Sequence, residues 1–231
     1  LAFDADTLER HARLMARAIA EERLLTLSAE SDKFRAVTEI TVYTPDHPGL
    51  FSQLAGAIAL SGGSIVDAKA FTTTDGFGLD VFSVQDMEGD AFDDPPRLER
   101  LRQAIEKTLA GQIRLRALLA ERPLRRRTSA FSIKPLVHFD NEASRLATVI
   151  EVECLDRPGL LYEVTQAIYE SGLSISSSMV STYGERAIDV FYVRDGFGHK
   201  ITHETRIKAV RARLMAALDP EGLEAAAAAG A

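Results

Sequence analysis

One short motif occurs twice in this sequence, and its residue types suit a small charged ligand. Asp-x-Pro-Gly-Leu stands at 46–50 and, 110 positions later, at 156–160. At a junction between strand and helix, such a motif sets an aspartate beside the unpaired amides of the helix N-terminus, which can hold an anion. The aspartate can hold an ammonium group or cap the helix, and the glycine lets a ligand approach the backbone. A single copy would be explained by turn formation alone, but two copies in one register favour binding of a free amino acid.

The two motifs belong to a longer internal repeat. Thr38, Ile40 and Val42 match Thr148, Ile150 and Val152 at the same spacing, and Asp80-Val81-Phe82 recurs as Asp189-Val190-Phe191. A repeat of this length indicates two copies of one small domain, because the units of solenoid proteins are shorter. Duplicated domains present two equivalent sites or one shared interface, which is typical of binding proteins.

The strand after each motif helix also carries polar groups. Ser64–Asp67 offers a hydroxyl and a carboxylate, and Ser174–Ser177 offers hydroxyls. These groups can bind the polar ends of a metabolite. An ordinary sheet surface explains them equally well, and both interpretations stay open. Asp80 and Asp189, each followed by Val-Phe, are interpreted as structural residues of a strand.

Patterns typical of catalysis or metal binding are weak. His199 and His203 are separated by a turn and a helix start, which favours solvated side chains over a metal site. Cys154 lies among apolar strand residues and is interpreted as a small buried residue. No site places a nucleophile beside a base, so we expect no catalytic residue, no metal and no cofactor in this chain.

Composition excludes further classes. The chain has 231 residues, 46% of them apolar, and a formal net charge of −7, a balance typical of globular proteins. The negative charge disfavours nucleic-acid binding, and only Phe82, Phe191 and Tyr192 favour an RNA-binding sheet. A single cysteine indicates a reducing compartment, so we expect a cytoplasmic protein. No apolar run is long enough to cross a membrane.

Local signals predict an α+β fold. Each repeat is predicted to run strand, helix, strand, strand, helix, with turns such as Gly62-Gly63 between the elements. Strand-like segments at 24–29 and 134–139 precede the repeats, so each unit is expected to carry an extra strand at its front. The result would be a ferredoxin-like antiparallel sheet in each repeat, with helices on one face. Whether a front strand joins its own sheet or its neighbour's stays open.

An N-terminal helix is predicted at 7–22, capped by Asp6 and apolar on the face of Leu8, Ala12, Met15 and Ile19. That face would dock either on the repeats or on a region missing upstream. The expected segments are an N-terminal helical end of that missing region at 1–22, a first repeat at 23–121, a basic linker at 122–130, a second repeat at 131–219 and an alanine-rich tail at 220–231.

The sequence resembles tandem ACT domains, which are small amino-acid-sensing modules. Both motif segments resemble the loop that precedes the first ACT helix. The stretches at 175–177, 181–187 and 189–193 resemble more specifically the C-terminal end of bacterial bifunctional uridylyltransferase/uridylyl-removing enzymes, which modify the nitrogen signal protein PII. The resemblance implies two ACT domains and, upstream, missing nucleotidyltransferase and phosphohydrolase domains that would use Mg²⁺.

The resemblance also implies a ligand and its site. L-glutamine would lie between the motif loop of one repeat and the second strand of the other. The implied ligand-binding residues are Asp46, His47, Gly49, Leu50, Phe51, Ile65, Val66, Asp67, Asp156, Gly159, Leu160, Leu161, Ile175, Ser176 and Ser177. The copies differ, since Arg157 replaces His47 and Ser176-Ser177 replaces Val66-Asp67. One site would therefore bind more tightly than the other, or only one would bind.

The leading hypothesis is a glutamine-binding regulatory module that controls uridylylation and deuridylylation of PII by the upstream catalytic domains, with PII as an indirect partner. The alternative is a structural or protein-interaction module that docks the catalytic domains or PII and binds no metabolite.

Overall fold

The computed structural model describes residues 3–120, 133–157 and 159–219. Six helices and eight strands occupy these ranges. In chain order they are α1 (Ala5–Ala20), β1 (Thr26–Asp32), β2 (Val37–Pro45), α2 (Leu50–Leu60), β3 (Ser64–Thr72), β4 (Phe77–Gln85), α3 (Pro95–Leu109), α4 (Leu115–Ala120), β5 (Leu136–Asp140), β6 (Thr148–Leu155), α5 (Leu160–Glu170), β7 (Leu173–Tyr183), β8 (Arg186–Asp195) and α6 (Glu204–Leu218).

All eight strands form one antiparallel sheet in the order β1-β2-β4-β3-β7-β8-β6-β5. The two halves of this order mirror each other, which confirms the tandem α+β architecture. The front strands β1 and β5 each pair within their own repeat, with β2 and β6. The two predicted sheets are continuous, because β3 pairs with β7 from Asp67–Phe71 to Ser177–Ser181.

Apolar residues at alternating strand positions form the face of the sheet that the helices cover. Ile40 and Val42 in β2 and Phe82 in β4 are fully buried, as is Phe191 in β8. Helices α2, α3, α5 and α6 cover this face, and α2 packs directly against α5 across the two repeats. Since successive strand residues point to opposite faces, the period-2 pattern predicts which side chains the helices cover.

Helix α1 lies on the opposite face of the first repeat. Its His11 contacts Thr41, and its Ala18 packs with Tyr43, both on the face opposite to Val42. The predicted cap at Asp6 is wrong, because the Asp4 carboxylate accepts the Thr7 amide at 2.7 Å. Of the two partners considered for the predicted apolar stripe, the repeats leave its Leu8 and Ile19 uncovered. Leu8 and Ile19 are 43% and 65% exposed, whereas Thr7, His11 and Ala18 are buried. The helix thus docks on the repeat through a more polar face than expected.

Several expectations concern residues outside the described ranges. These are the basic linker at 122–130, the alanine-rich tail at 220–231, the start of the second repeat at Phe131 and the motif residue Pro158. Within the described ranges, no helix combines the length and apolar character needed to span a bilayer.

Candidate functional site

Each motif loop leads directly into a helix through a glycine. The helices α2 and α5 begin after Gly49 and Gly159, which have φ values of 88° and 82° and provide no side-chain cap. The capping role predicted for Asp46 is therefore wrong. Its carboxylate instead accepts the Thr72 hydroxyl at 2.6 Å, which ties the first motif loop to β3. Only glycine adopts this left-handed backbone at little cost, so the turn requires both glycines.

The N-terminus of α2 has amide groups to offer. The Leu50 amide donates to His47 O and the Gln53 amide donates to Gly49 O, each at 3.0 Å. Between them, the amides of Phe51 and Ser52 have no hydrogen-bond acceptor within the described ranges. Together with the partial positive charge of a helix N-terminus, these two donors can bind a carboxylate.

A pocket of about 170 Å³ opens beside these amides, and we call it the first pocket. It joins the two repeats. Its predicted lining residues are Asp46, His47, Gly49, Leu50 and Phe51 from the first repeat and Ile175 from the second. Helix α5 adds Thr165 and Tyr169, which were not predicted. The Tyr169 ring lies over Gly49, where a Cβ would come within 3.2 Å of it.

The end of the β3·β7 ladder explains why the pocket forms at this position. Pairing between the repeats stops at Phe71 and Ser177, so Leu173–Ser176 extends past the ladder alongside the first motif loop. Leu173, Ser174 and Ile175 line the pocket wall there. The free strand edge and the helix N-terminus therefore face one cavity from different repeats.

The second repeat has an equivalent but smaller pocket, the second pocket, of about 30 Å³. Four predicted residues of the second repeat line it together with one of the first: Asp156, Gly159, Leu160, Leu161 and Ile65. Larger side chains occupy its wall. Tyr162 stands where the first pocket has Ser52, and Arg157 stands where it has His47. Arg157 is held there by the Glu163 carboxylate and by Ala217 O, to which it donates at 2.9 and 2.8 Å.

Four predicted residues lie outside both pockets. Val66 and Ser176 occupy equivalent β-bulges, where the register of β3 with β4 and of β7 with β8 shifts. Asp67 pairs with Ser181, and Ser177 pairs with Phe71, so both belong to the ladder between the repeats. Ser176 and Ser177 also line an open groove of about 800 Å³ that shares Ser174 and Ile175 with the first pocket.

Two buried carboxyl groups line the pockets, Asp80 in the first and Asp189 in the second. They are 3% and 2% exposed, and each has a buried oxygen without a hydrogen-bond partner. Burial, and then the nearby Asp46, raise the pKa of Asp80 well above its usual value. Burial raises the pKa of Asp189 to about 7. From the sequence alone, both aspartates are predicted to be structural residues. One signal in the sequence points to a functional role. In both repeats, an aspartate occupies the same position of an otherwise apolar strand.

Metal binding and a reactive thiol have little support among residues 3–120, 133–157 and 159–219. No group of three or more His, Cys, Asp or Glu side chains there could hold a metal ion. Cys154 is buried, as predicted, and burial raises the pKa of its thiol to about 12.

Two family models match the chain. The ACT domain model matches residues 38–106, and a model described as the ACR family N-terminal ACT domain matches residues 143–218. The matches coincide with the two repeats and confirm the resemblance to tandem ACT domains.

Several relatives of the chain are bifunctional uridylyltransferase/uridylyl-removing enzymes. The chain is 51% identical to that of Azospirillum brasilense over 224 residues, covering 95% of this chain and 24% of the relative. It is 46% identical to that of Rhodospirillum rubrum over 222 residues, covering 94% and 24%. The chain thus spans about a quarter of the length of these relatives. Among solved structures, aspartate kinase from Synechocystis matches 78% of this chain and 26% of its own with a TM-score of 0.40 at 16% identity.

Proposed function

Because the chain belongs to the ACT-domain family, with two copies in tandem, we propose that it is a regulatory module that binds L-glutamine between the copies. The observation that carries this proposal is the first pocket, in which the motif loop of one repeat faces the free strand edge of the other. Glutamine is chosen over other amino acids because the relatives along nearly the whole chain are uridylyltransferase/uridylyl-removing enzymes.

The chemistry of the first pocket matches the parts of a free amino acid. The amides of Phe51 and Ser52 offer donors for the α-carboxylate. Leu50 and Ile175 offer apolar contact for the methylene groups, and Ser174 offers a hydroxyl for a side-chain carboxamide. Such a division into apolar walls and a few polar groups is typical of small-molecule sites.

We assign one ligand to each chain. The second pocket has a volume of about 30 Å³, which is less than a fifth of the volume of about 170 Å³ in the first pocket. Tyr162 and the ion-paired Arg157 keep the second pocket small. The first pocket is thus the proposed binding site.

The activity that the ligand controls would belong to parts of a longer protein. Since this chain spans about a quarter of its relatives, we propose that catalytic domains upstream uridylylate and deuridylylate PII, with glutamine binding here favouring removal. Mg²⁺ would be needed by those domains and no cofactor by this chain. The proposed compartment is the cytoplasm.

Isothermal titration calorimetry on the 231-residue chain tests the proposal directly. L-glutamine should bind with a stoichiometry of one, and L-glutamate, L-asparagine and D-glutamine should bind more weakly because they alter the carboxamide, the length or the configuration. Absence of heat, and of any thermal stabilisation, with every amino acid at several millimolar would refute amino-acid binding. Two equal sites would refute the assignment to the first pocket alone.

The interaction-module alternative is favoured by one observation, the exposure of Leu8 and Ile19 on the outer face of α1. In this alternative, the exposed face docks another domain, and the chain binds no metabolite. Charged replacements of Leu8 and Ile19 in the longer protein should then alter its assembly, while glutamine has no effect on the isolated chain. Unchanged assembly would refute the alternative.

A further inference from the structure

We propose that the Asp80 carboxylate binds the ammonium group of the amino-acid ligand at the floor of the first pocket. This inference rests on the proposed function and adds the residue that recognises the amino group. The motif aspartates Asp46 and Asp156 are the candidates for this role that the sequence offers, but the Asp46 carboxylate already accepts the Thr72 hydroxyl.

Asp80 lines the first pocket from the side of the sheet. It lies in β4 between Val42 of β2 and Ala70 of β3, with its side chain on the helix-side face, as for Phe82 two residues later. Its buried oxygen Oδ2 has no partner, and no N–H or O–H group of the described residues donates to the carboxyl. A buried carboxyl without a donor is costly, so its retention in a pocket wall points to a ligand.

Glycine at position 78 keeps the space beside this carboxyl open. A Cβ there would lie 3.4 Å from Asp80 Oδ2 and 2.9 Å from a methyl group of Leu50. The equivalent position in the second repeat is Ala187, which lines the smaller pocket. The first repeat therefore leaves room next to the carboxyl that the second repeat fills.

The charges around Asp80 lack a cation. The titratable side chains that line the first pocket with it are Asp46, His47 and Tyr169, and its described lining has no lysine or arginine. The His47 imidazole is engaged by Pro48 O at 3.2 Å. A ligand ammonium would therefore supply the positive charge that the described lining of the first pocket lacks, while the helix amides hold the ligand's carboxylate.

Binding should then release a proton. In the empty pocket, burial and Asp46 favour the neutral carboxylic acid of Asp80. When the ammonium arrives, the O–H bond of Asp80 breaks, its electron pair stays on the carboxylate, and the proton passes to the buffer. The ligand keeps its own three N–H bonds. The affinity should consequently rise with pH through the range in which Asp80 of the empty pocket is protonated.

Asp189 provides a matched control. It occupies the equivalent strand position and is equally buried, but it lines the pocket of about 30 Å³ instead of the pocket of about 170 Å³. The Asp→Asn change at either position removes a buried carboxyl group and keeps the shape of the side chain. A difference in glutamine affinity between the two variants therefore shows which pocket binds the ligand.

The experiment is calorimetry on the 231-residue chain and its Asp80→Asn and Asp189→Asn variants, with L-glutamine and with 4-carbamoylbutanoate, which is glutamine without its amino group. A charge-assisted hydrogen bond corresponds to a roughly 10- to 100-fold change in affinity. We expect Asp80→Asn to weaken glutamine binding by that factor. The binding enthalpy of wild type should change with the ionisation enthalpy of the buffer, because a proton is released, and that of Asp80→Asn should not. Asp189→Asn should stay within about 3-fold of wild type.

The 4-carbamoylbutanoate arm isolates the amino group. Wild type should bind it at least about 10-fold more weakly than glutamine, and Asp80→Asn should bind both about equally. Equal glutamine affinity in wild type and Asp80→Asn would overturn the inference. If Asp80→Asn fails to fold, equal wild-type affinity for the two compounds would overturn it as well. A wild type that binds no amino acid would instead refute the proposed function.

Discussion

Replacing Gly49 by alanine should weaken both folding and ligand binding, whereas replacing Gly159 should weaken folding alone. Both glycines have a left-handed backbone, with φ values of 88° and 82°. Alanine in that conformation costs about 1–2 kcal/mol at either position. The surroundings differ, because a Cβ on Gly49 would lie 3.2 Å from the Tyr169 ring, whereas a Cβ on Gly159 would have no atom within 4 Å among the described residues.

The magnitudes follow from these contacts. In a chain of this size, 1 kcal/mol corresponds to roughly 2–4 °C in Tm, so the backbone term lowers Tm by roughly 2–8 °C in either variant. Gly49→Ala must also displace the Tyr169 ring by a few tenths of an ångström. Overpacking of this kind adds about 1 kcal/mol. Because the ring lines the first pocket, its displacement should reduce glutamine affinity by about 10-fold.

Thermal melts and calorimetric titration with L-glutamine measure the two effects separately. Tyr169→Ala supplies the control, since the equivalent residue of the first repeat is Ala59. In a Tyr169→Ala background, Gly49→Ala should cost no more stability than Gly159→Ala does in wild type. Equal losses of Tm and equal glutamine affinities in the two single glycine variants would refute the role given to the Tyr169 contact.

Two further predictions concern buried ionisable groups. Burial raises the pKa of Asp189 to about 7, so the folded chain keeps a proton that the unfolded chain releases above about pH 4. The contribution of Asp189 to the unfolding free energy should therefore fall as the pH rises from about 4 to about 7. Asp189→Asn should raise the unfolding free energy by at most about 4 kcal/mol at pH 8 and should hardly change it at pH 4. Urea unfolding at both pH values measures this gain, and a pH-independent gain would contradict it. Burial also raises the pKa of the Cys154 thiol to about 12, so alkylation should be at least about 100-fold slower in the folded chain than in urea, and similar rates would contradict this.

The elements of each repeat were predictable because their signals are local. Gly62-Gly63 ends a helix as predicted, and the alternating Ile40 and Val42 mark a strand whose burial the structure confirms. The duplication allowed one repeat to check the other. For helix α1, the sequence left open whether the face with Leu8 and Ile19 docks on the repeats, and the exposure of both side chains shows that the repeats do not cover it. Tertiary contacts with Thr41 bury His11 instead, and no periodicity in the helix itself contains that information.

The first pocket was predictable only in part. Its motif loop follows from Gly49 and its neighbours, but its far wall depends on which residues the β3·β7 ladder brings opposite. Tyr169 reaches Gly49 from a helix 120 positions later in the chain (169 − 49 = 120), and neither residue type signals the other. The significance of Asp80 depends equally on surroundings. An acid in an apolar strand is unremarkable until its lack of a donor is known.

The inequality of the two pockets has a consequence for how sharply the chain can respond. A protein with one receptive cavity saturates hyperbolically, so its occupancy rises from a tenth to nine-tenths over about two decades of metabolite concentration. With the first pocket as the single proposed site, this chain would respond gradually to its ligand, without a threshold of its own. Any steeper response of a longer protein would have to come from coupling between several such chains.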